Sequence, residues 1–220
     1  MPCANTLESR NRFMALFIGP KHSGKTVAAC SFKPYAPWSR IRVFDFDGRI
    51  GGIMGAPWIN KDIIDYEYYP PRLTAGGKPV FTRLNDDYEA LGVQCATNQN
   101  PYGTLVNDSL TAETFAFLCD ALPLTHQDKG KKIGKMNMPG PEDYGFESNG
   151  TYQSLAYLRS LPIPNIIVTA HVIDRYGKAN PKDPYSESVV IGEKLSLRDK
   201  ISANIGIYFD HIFKFNRCMV

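Results

Sequence analysis

Leu16-Phe17-Ile18-Gly19-Pro20-Lys21-His22-Ser23-Gly24-Lys25-Thr26 decides how the rest of the chain is read. The apolar run from Phe13 to Ile18 predicts a buried strand that breaks at Gly19, and Val27-Ala28-Ala29-Cys30 predicts the helix that follows. Between them stands Gly-x-x-x-x-Gly-Lys-Thr, the phosphate-binding loop, in the strand-then-helix context that its mechanism requires. Gly19 and Gly24 permit a tight turn in which successive N–H groups point at one anion. The helix adds its free first-turn amides and the positive end of its dipole. In this reading Gly19, Pro20, Lys21, His22, Ser23, Gly24, Lys25, Thr26 and Val27 cradle the phosphates. Lys25 reaches the β and γ phosphates, and the Thr26 hydroxyl ligates Mg²⁺. With no nucleotide bound, Lys25 is expected to face solvent. A chance match in a glycine-rich turn is the alternative, and the flanking strand and helix weigh against it.

The chain has 220 residues, 43% of them hydrophobic and 21% charged, which suits one α/β domain with a substantial core. A formal charge of +3 is too small to imply nucleic-acid binding through net charge, so any basic surface must be local. Five cysteines without a Cys-x-x-Cys pair suggest neither a disulfide framework nor a zinc site, and the four histidines lack metal-ligand spacing. No apolar run reaches membrane-spanning length, and residues 1–12 read as a polar arm without the apolar centre of a signal peptide. A reducing cytoplasm fits this usage.

Further along, Ile41 to Phe46 predicts a second strand ending at Asp47-Gly48. Ile63 to Tyr69 predicts a short strand and Phe81 to Leu91 a helix. Tyr102 to Asn107 reads as a buried strand stopping at Asp108-Ser109, and Thr111 to Leu122 as a helix opened by Thr111-x-x-Thr114. Residues 123–150 hold Lys129, Lys131, Lys132 and Lys135, five glycines and few apolar side chains, and read as a long mobile loop. A helix over Thr151–Leu161, a strand over Asn165–Thr169, a second mobile polar segment over 174–188, a helical stretch from Leu195 to Ile207 and a last strand from Asp210 to Phe215 complete the order. Strands alternating with helices imply a mainly parallel central sheet with helices on both faces.

A P-loop site needs a second carboxylate near the magnesium, at the end of an apolar strand expected beside the first. Asp108 fits that role; the alternative is a surface acid at a strand end. Ser109 stands where many P-loop ATPases carry a catalytic Glu, so a water-activating carboxylate must come from another strand end. Asp47 is the candidate, with a turn-initiating Asp before Gly48 as the competing reading. His171, where Val168-Thr169-Ala170-His171 leaves the sheet, is either a γ-phosphate sensor or a satisfied structural histidine.

Taken in order, Gly19–Thr26, Asp45-Phe46-Asp47-Gly48, Asn107-Asp108-Ser109-Leu110 and Ile166–His171 resemble the RecA-type ATPase core. More narrowly, they resemble compact bacteriophage P-loop ATPases classed among AAA-type domains and related to RecA-like single-strand annealing proteins. Asp143-Tyr144-Gly145, Gly192-Glu193-Lys194-Leu195 and Phe209-Asp210-His211-Ile212 are similar to the same group, and the resemblance spans residues 13–215. It implies a RecA-like core over 13–220, ATP and Mg²⁺ as ligands, and catalysis by Asp47, Lys25 and His171. Position 47 is Asp where RecA-type proteins carry Glu, one methylene longer, and position 171 is His where RecA carries Gln. The resemblance also implies DNA-binding loops at 123–150 and 174–188, self-association into a ring or filament, single-stranded DNA as partner and a single-strand-binding protein as a further one. A basic residue supplied by a neighbouring protomer, Arg198 or Lys200, would complete the site. The setting implied is a phage protein in a bacterial host cytoplasm.

The residues themselves give the DNA reading modest support: the four loop lysines can neutralise phosphates, and Arg175-Tyr176 with Lys178 pairs charge with a stacking ring. A solvated lysine loop is the plain alternative. The function expected is an ATP-hydrolysing protein acting on single-stranded DNA in recombination, annealing or replication. Two alternatives stand beside it: a nucleotide-regulated oligomeric or DNA-packaging component with slow hydrolysis, and a small-molecule kinase. The kinase is disfavoured because 123–150 contains no arginine for a lid.

Overall fold

In the computed structural model the described residues are 12–32, 40–71, 77–97, 99–125, 132–133, 136–179 and 185–216. The order is β1 (Phe13–Gly19), α1 (Lys25–Cys30), β2 (Arg40–Asp45), a 3₁₀ helix (Ile50–Gly55), β3 (Ile64–Tyr68), α2 (Val80–Ala96), β4 (Tyr102–Asp108) and α3 (Leu110–Thr125). A two-stranded β5 (Lys132–Ile133) and β6 (Met136–Asn137) follows, then α4 (Pro141–Ser160), β7 (Asn165–Lys178), β8 (Ser188–Leu195), α5 (Asp199–Asn204) and β9 (His211–Lys214). The central sheet runs β3-β2-β4-β7-β1-β9, parallel throughout, with β8 antiparallel to the outer half of β7.

Strand side chains alternate between two apolar layers, as a sheet covered on both faces requires. Met14, Leu16, Phe44, Leu105, Ile166 and Val168 meet one layer, which α2, α3 and α4 complete with Leu84, Tyr88, Phe117, Leu155 and Leu158. Ala15, Phe17, Val43, Val106 and Ile167 meet the other, covered by Ala29 and Cys30 of α1 and by Ile50 and Ile53 of the 3₁₀ helix. The fold is therefore α/β with a parallel sheet between helical layers, and the second layer is much the thinner. Truncating Leu155, fully buried between helices and sheet, would cost about 2–5 kcal/mol.

Four expectations are corrected here. The strand carrying Asp108 does not lie beside the phosphate-loop strand: β7 pairs with both β1 and β4 and separates them. The long loop over 123–150 gives way at Pro141 to α4, ten residues before the helix read from Thr151. Its buried face carries Asp143, Glu147, Ser148, Thr151 and Ser154, so apolar spacing could not reveal it. Pro141 at the first turn and the Asp143 carboxylate, which accepts from the Gly140 N–H at 2.6 Å, start the helix. A Cβ at Gly150 would stand 3.1 Å from the Phe117 ring, so this glycine permits close packing of α4 on α3.

The third correction concerns 174–188, where residues 174–178 and 188 are strand and 180–184 lie outside the described residues. β7 continues past the sheet to Lys178 and pairs with β8 to form a projecting ribbon. The start of α3 also differs from the Thr111-x-x-Thr114 reading: the Ser109 hydroxyl accepts from the Ala112 N–H at 3.3 Å, and Thr111 turns to the His171 backbone. Among the described residues no helix is long and apolar enough to cross a membrane. Residues 1–11 of the polar arm lie outside the described residues.

Candidate functional site

The C-terminal ends of β1, β2, β4 and β7 bring the sequence-predicted groups to one edge of the sheet. The turn after β1 closes with the Ser23 N–H donating to the Pro20 carbonyl at 3.3 Å. Gly24 caps α1 at φ +86°, a left-handed conformation that favours glycine. Gly19 is required for a different reason: its Cβ would stand 2.5 Å from the Phe215 carbonyl, because the chain leaving β9 crosses this point. Lys21 and His22 are exposed at the tip, His22 at φ +65°; Pro20 and Ser23 are half-buried, and Val27 packs on the thinner layer.

Lys25 does not face solvent. It is 4% exposed, and its Nζ donates to the Gly19 and Pro20 carbonyls, each at 2.9 Å, and reaches Ser23 Oγ at 3.5 Å. A buried ammonium must find acceptors, and the loop's own carbonyls are the nearest. Burial lowers its pKa; Asp108 and Asp47 oppose the shift, and Arg49 adds to it.

Asp108 is 2% exposed and lies in a small hydroxyl cage. Its Oδ2 accepts from Thr26 Oγ1 at 2.8 Å, and its Oδ1 accepts from Thr169 Oγ1 on β7. Burial pushes the carboxyl pKa up, the two hydroxyls oppose that, and the Asp47 and Asp45 charges add to it, for a net rise. A carboxylate in this position is short of positive charge. Thr26 Oγ1 and Asp108 form a hard-oxygen pair at the start of α1, the kind of donor set Mg²⁺ shares with phosphate oxygens. Among the described residues no three His, Cys, Asp or Glu side chains form a metal cluster.

Asp47 lies one turn beyond β2, its Oδ2 3.0 Å from His171 Nε2. The backbone fixes both partners. Phe46 and Asp47 donate N–H groups to the Asp108 carbonyl at 2.7 and 3.4 Å, and the His171 N–H donates to Thr111 Oγ1 at 3.0 Å. Burial raises the Asp47 pKa, but hydrogen bonds from His171 and Ser109 and the charges of His171 and Arg49 outweigh it, so the net shift is downward. Lys25, Thr26, Asp108, Asp47 and His171 are thus assembled by tertiary structure from four strand ends.

Two participants escaped sequence reading. Thr169 sits inside an apolar run, where a lone hydroxyl was the available signal. Asp45 was read only as part of its strand; it is 1% exposed, and its carboxylate accepts from the N–H groups of Gly48, Arg49 and Ile50 at 2.8, 3.3 and 3.1 Å. It holds the turn that carries Asp47.

Arg175, Tyr176 and Lys178 lie on the exposed β7–β8 ribbon, away from the carboxylates, and Tyr176 is 64% exposed. The ribbon's root is the Asp47 partner itself: the His171 carbonyl accepts from the Ser196 N–H, just past β8, at 2.7 Å. Lys129, Lys131 and Lys135 lie outside the described residues, as does the side chain of Lys132 on β5. Arg198 is engaged within its own chain, its guanidinium 3.8 Å from the Tyr144 ring centroid and 3.4 Å from Glu147 Oε2. Lys200 is exposed on α5.

Compared with known protein families, the sequence matches the family model described as an AAA domain over residues 11–217. Comparison with curated proteins found no match.

Proposed function

We propose, from the premise that this chain belongs to the AAA domain family, that it binds ATP with Mg²⁺, hydrolyses it, and uses the cycle to grip and release single-stranded DNA. Lys25 leaves the Gly19 and Pro20 carbonyls for the β and γ phosphates, which offer it a full negative charge in place of two dipoles. Thr26 and Asp108 would hold the magnesium, which would neutralise charge on the phosphates. Asp47 takes the proton of the attacking water. Its lowered pKa makes it a modest base, which suits slow turnover.

The observation that carries the coupling to DNA is the position of His171. It touches Asp47 through its ring and holds the root of the ribbon through its carbonyl. A γ-phosphate that draws the imidazole away from Asp47 therefore also shifts the base of the strand pair bearing Arg175, Tyr176 and Lys178. Assembly into a ring or filament is part of the same reading; with Arg198 engaged in its own chain, Lys200 is the better placed of the two to reach a neighbour. The loop lysines 129, 131, 132 and 135 and a single-strand-binding partner extend the proposal, as does a setting in phage recombination, annealing or replication.

ATP turnover with and without a single-stranded oligonucleotide, alongside oligonucleotide binding with ADP and with a non-hydrolysable triphosphate, tests it. Stimulated turnover and triphosphate-dependent binding are expected. Absence of nucleic-acid binding in every nucleotide state would remove the DNA reading. A second reading, a nucleotide-regulated oligomer, is favoured by the exposed apolar side chains Ile173, Val189, Val190 and Ile191 on the same ribbon. It predicts ATP-dependent assembly without DNA, seen by sedimentation.

A further inference from the structure

We infer that Tyr69 is a positioning residue for Asp47: its buried ring holds the neighbouring Phe46 in place, and its hydroxyl ties that ring to Asp87 on α2. This rests on the ATP reading above, in which Asp47 takes the proton of the attacking water. Asp47 stands in a turn beyond β2, where a side chain is held only as well as its neighbours are. After it, the buried Asp45 carboxylate fixes the backbone by accepting from the Gly48, Arg49 and Ile50 amides. Before it, the end of β3 does the holding.

Tyr69 follows β3 directly and is fully buried. Its N–H donates to the Asp45 carbonyl at 2.9 Å. Its ring stacks on that of Phe46, with centroids 5.1 Å apart and planes 24° from parallel, and Phe44 meets it edge-on at 5.8 Å. In a close-packed layer of this kind Phe46 shifts only if Tyr69 shifts. On the other side of Asp47, Gly48 lies against the Tyr68 ring, 3.1 Å from where its Cβ would be. Consecutive tyrosines therefore hold the residues that flank Asp47.

The Tyr69 ring has an anchor of its own. Its hydroxyl donates to Asp87 Oδ2, a charge-assisted bond that fixes the outer end of the ring. Arg83, one turn earlier on α2, stands 4.9 Å over the same ring and donates to Glu67 and to the Tyr68 carbonyl, each at 3.2 Å. The path Asp87–Tyr69–Phe46 thus carries the position of α2 to the turn bearing Asp47. Burial and the Asp87 bond raise the pKa of the phenol, so it keeps its proton and acts through geometry alone. A base must lie within hydrogen-bond reach of its water, and a displacement of about 1 Å can cost about a hundredfold in rate.

The test is turnover of ATP and affinity for a non-hydrolysable triphosphate in the full chain, compared in wild type, Tyr69→Phe, Asp87→Ala and the double variant. Each single variant is expected to lower kcat by roughly tenfold to a hundredfold while triphosphate affinity stays within about twofold. The double variant should fall no further than either single one, because both break the same path. Tyr69→Phe keeps the ring and Asp87 is half-buried, so both variants are expected to fold. Leu158→Val supplies the purely structural comparison. Leu158 is fully buried in the same apolar layer but lies in the last turn of α4, which leads to the opposite end of the strands. It should lower the thermal midpoint and leave kcat unchanged. Unchanged kcat in Tyr69→Phe, losses that add in the double variant, or an equal kcat loss in Leu158→Val overturns the inference, even where loss of turnover in Asp47→Asn upholds the ATP reading. A wild type without turnover, or an Asp47→Asn variant with full turnover, overturns that reading and the inference with it.

Discussion

The phosphate edge of the sheet and the β7–β8 ribbon grow out of the same strand, yet they satisfy their polar groups in opposite ways. At the edge, Asp108, Asp45 and Lys25 are nearly inaccessible, and hydroxyls, amides and carbonyls of the same chain fill their hydrogen-bonding capacity. The ribbon from Ile173 onward exposes Tyr176, Val190 and Ile191, and among the described residues no second layer covers them. An isolated two-stranded ribbon is marginal by itself, so this one draws its stability from its root in the sheet. The contrast separates a closed polar network from an open strand surface. It also predicts that substitutions in one region leave the other's measurements unmoved, except through His171, which belongs to both.

The largest expected effect comes from Asp108→Asn. Turnover should fall by about a thousandfold, the scale for losing a group that organises phosphoryl charge, with Mg²⁺-dependent nucleotide binding lost against an EDTA control. The thermal midpoint should hold or rise, because the variant removes a buried charge whose pKa is raised. A variant that unfolds instead would make Asp108 a structural residue and erase the distinction between the two regions. Asp47→Asn should keep nucleotide binding and lower turnover alone.

The ribbon gives the next effect. Tyr176→Ala should weaken single-strand binding by roughly 1–3 kcal/mol per stacked base with little change in salt dependence. Removing Arg175 and Lys178 together should flatten the log–log salt slope by about 0.7 per lost phosphate contact. Nucleotide affinity should stay put in both. A change in nucleotide affinity comparable to the change in DNA affinity would show that the ribbon is part of the phosphate site.

A further effect lies beneath the edge. Glu113 is fully buried, accepts from Asn107 Nδ2 at 2.8 Å and from Ser154 Oγ, and has its pKa pushed up to about 7 by burial, with those two hydrogen bonds opposing the shift. The folded chain then holds a proton that the unfolded chain, with an ordinary Glu near 4.5, has lost. The stabilising contribution of that proton is complete below the unfolded pKa and is lost as pH rises from about 4.5 to 7, a change on the order of a few kcal/mol at most. Glu113→Gln should flatten this window in urea titrations while leaving the ribbon's DNA affinity unchanged. An unaltered pH profile would place the titration elsewhere.

What could be read before folding was whatever is written in consecutive residues. The phosphate-binding-loop motif is one contiguous stretch, and Gly24, at φ +86°, carries its reason locally. The strands at Phe13, Ile41, Tyr102 and Asn165 announced themselves as apolar runs, and Asp108 and Asp47 stood visibly at strand ends. The alternation of these runs with helices was enough to determine a parallel α/β sheet. The order of its strands was not determined that way, because the insertion of β7 between β1 and β4 is a matter of pairing between segments distant in sequence. The same holds for the hydroxyl of Thr169, which meets a carboxylate 61 residues away, and for the Phe215 carbonyl that makes Gly19 necessary. α4 was hidden for a related reason: its inward residues are polar and find partners only on other elements, Ser154 meeting Glu113 and Tyr88. Local composition determined the apolar strands and the helices that carry an apolar face. Hydrogen bonds and close contacts between remote segments decided which of their side chains form a site.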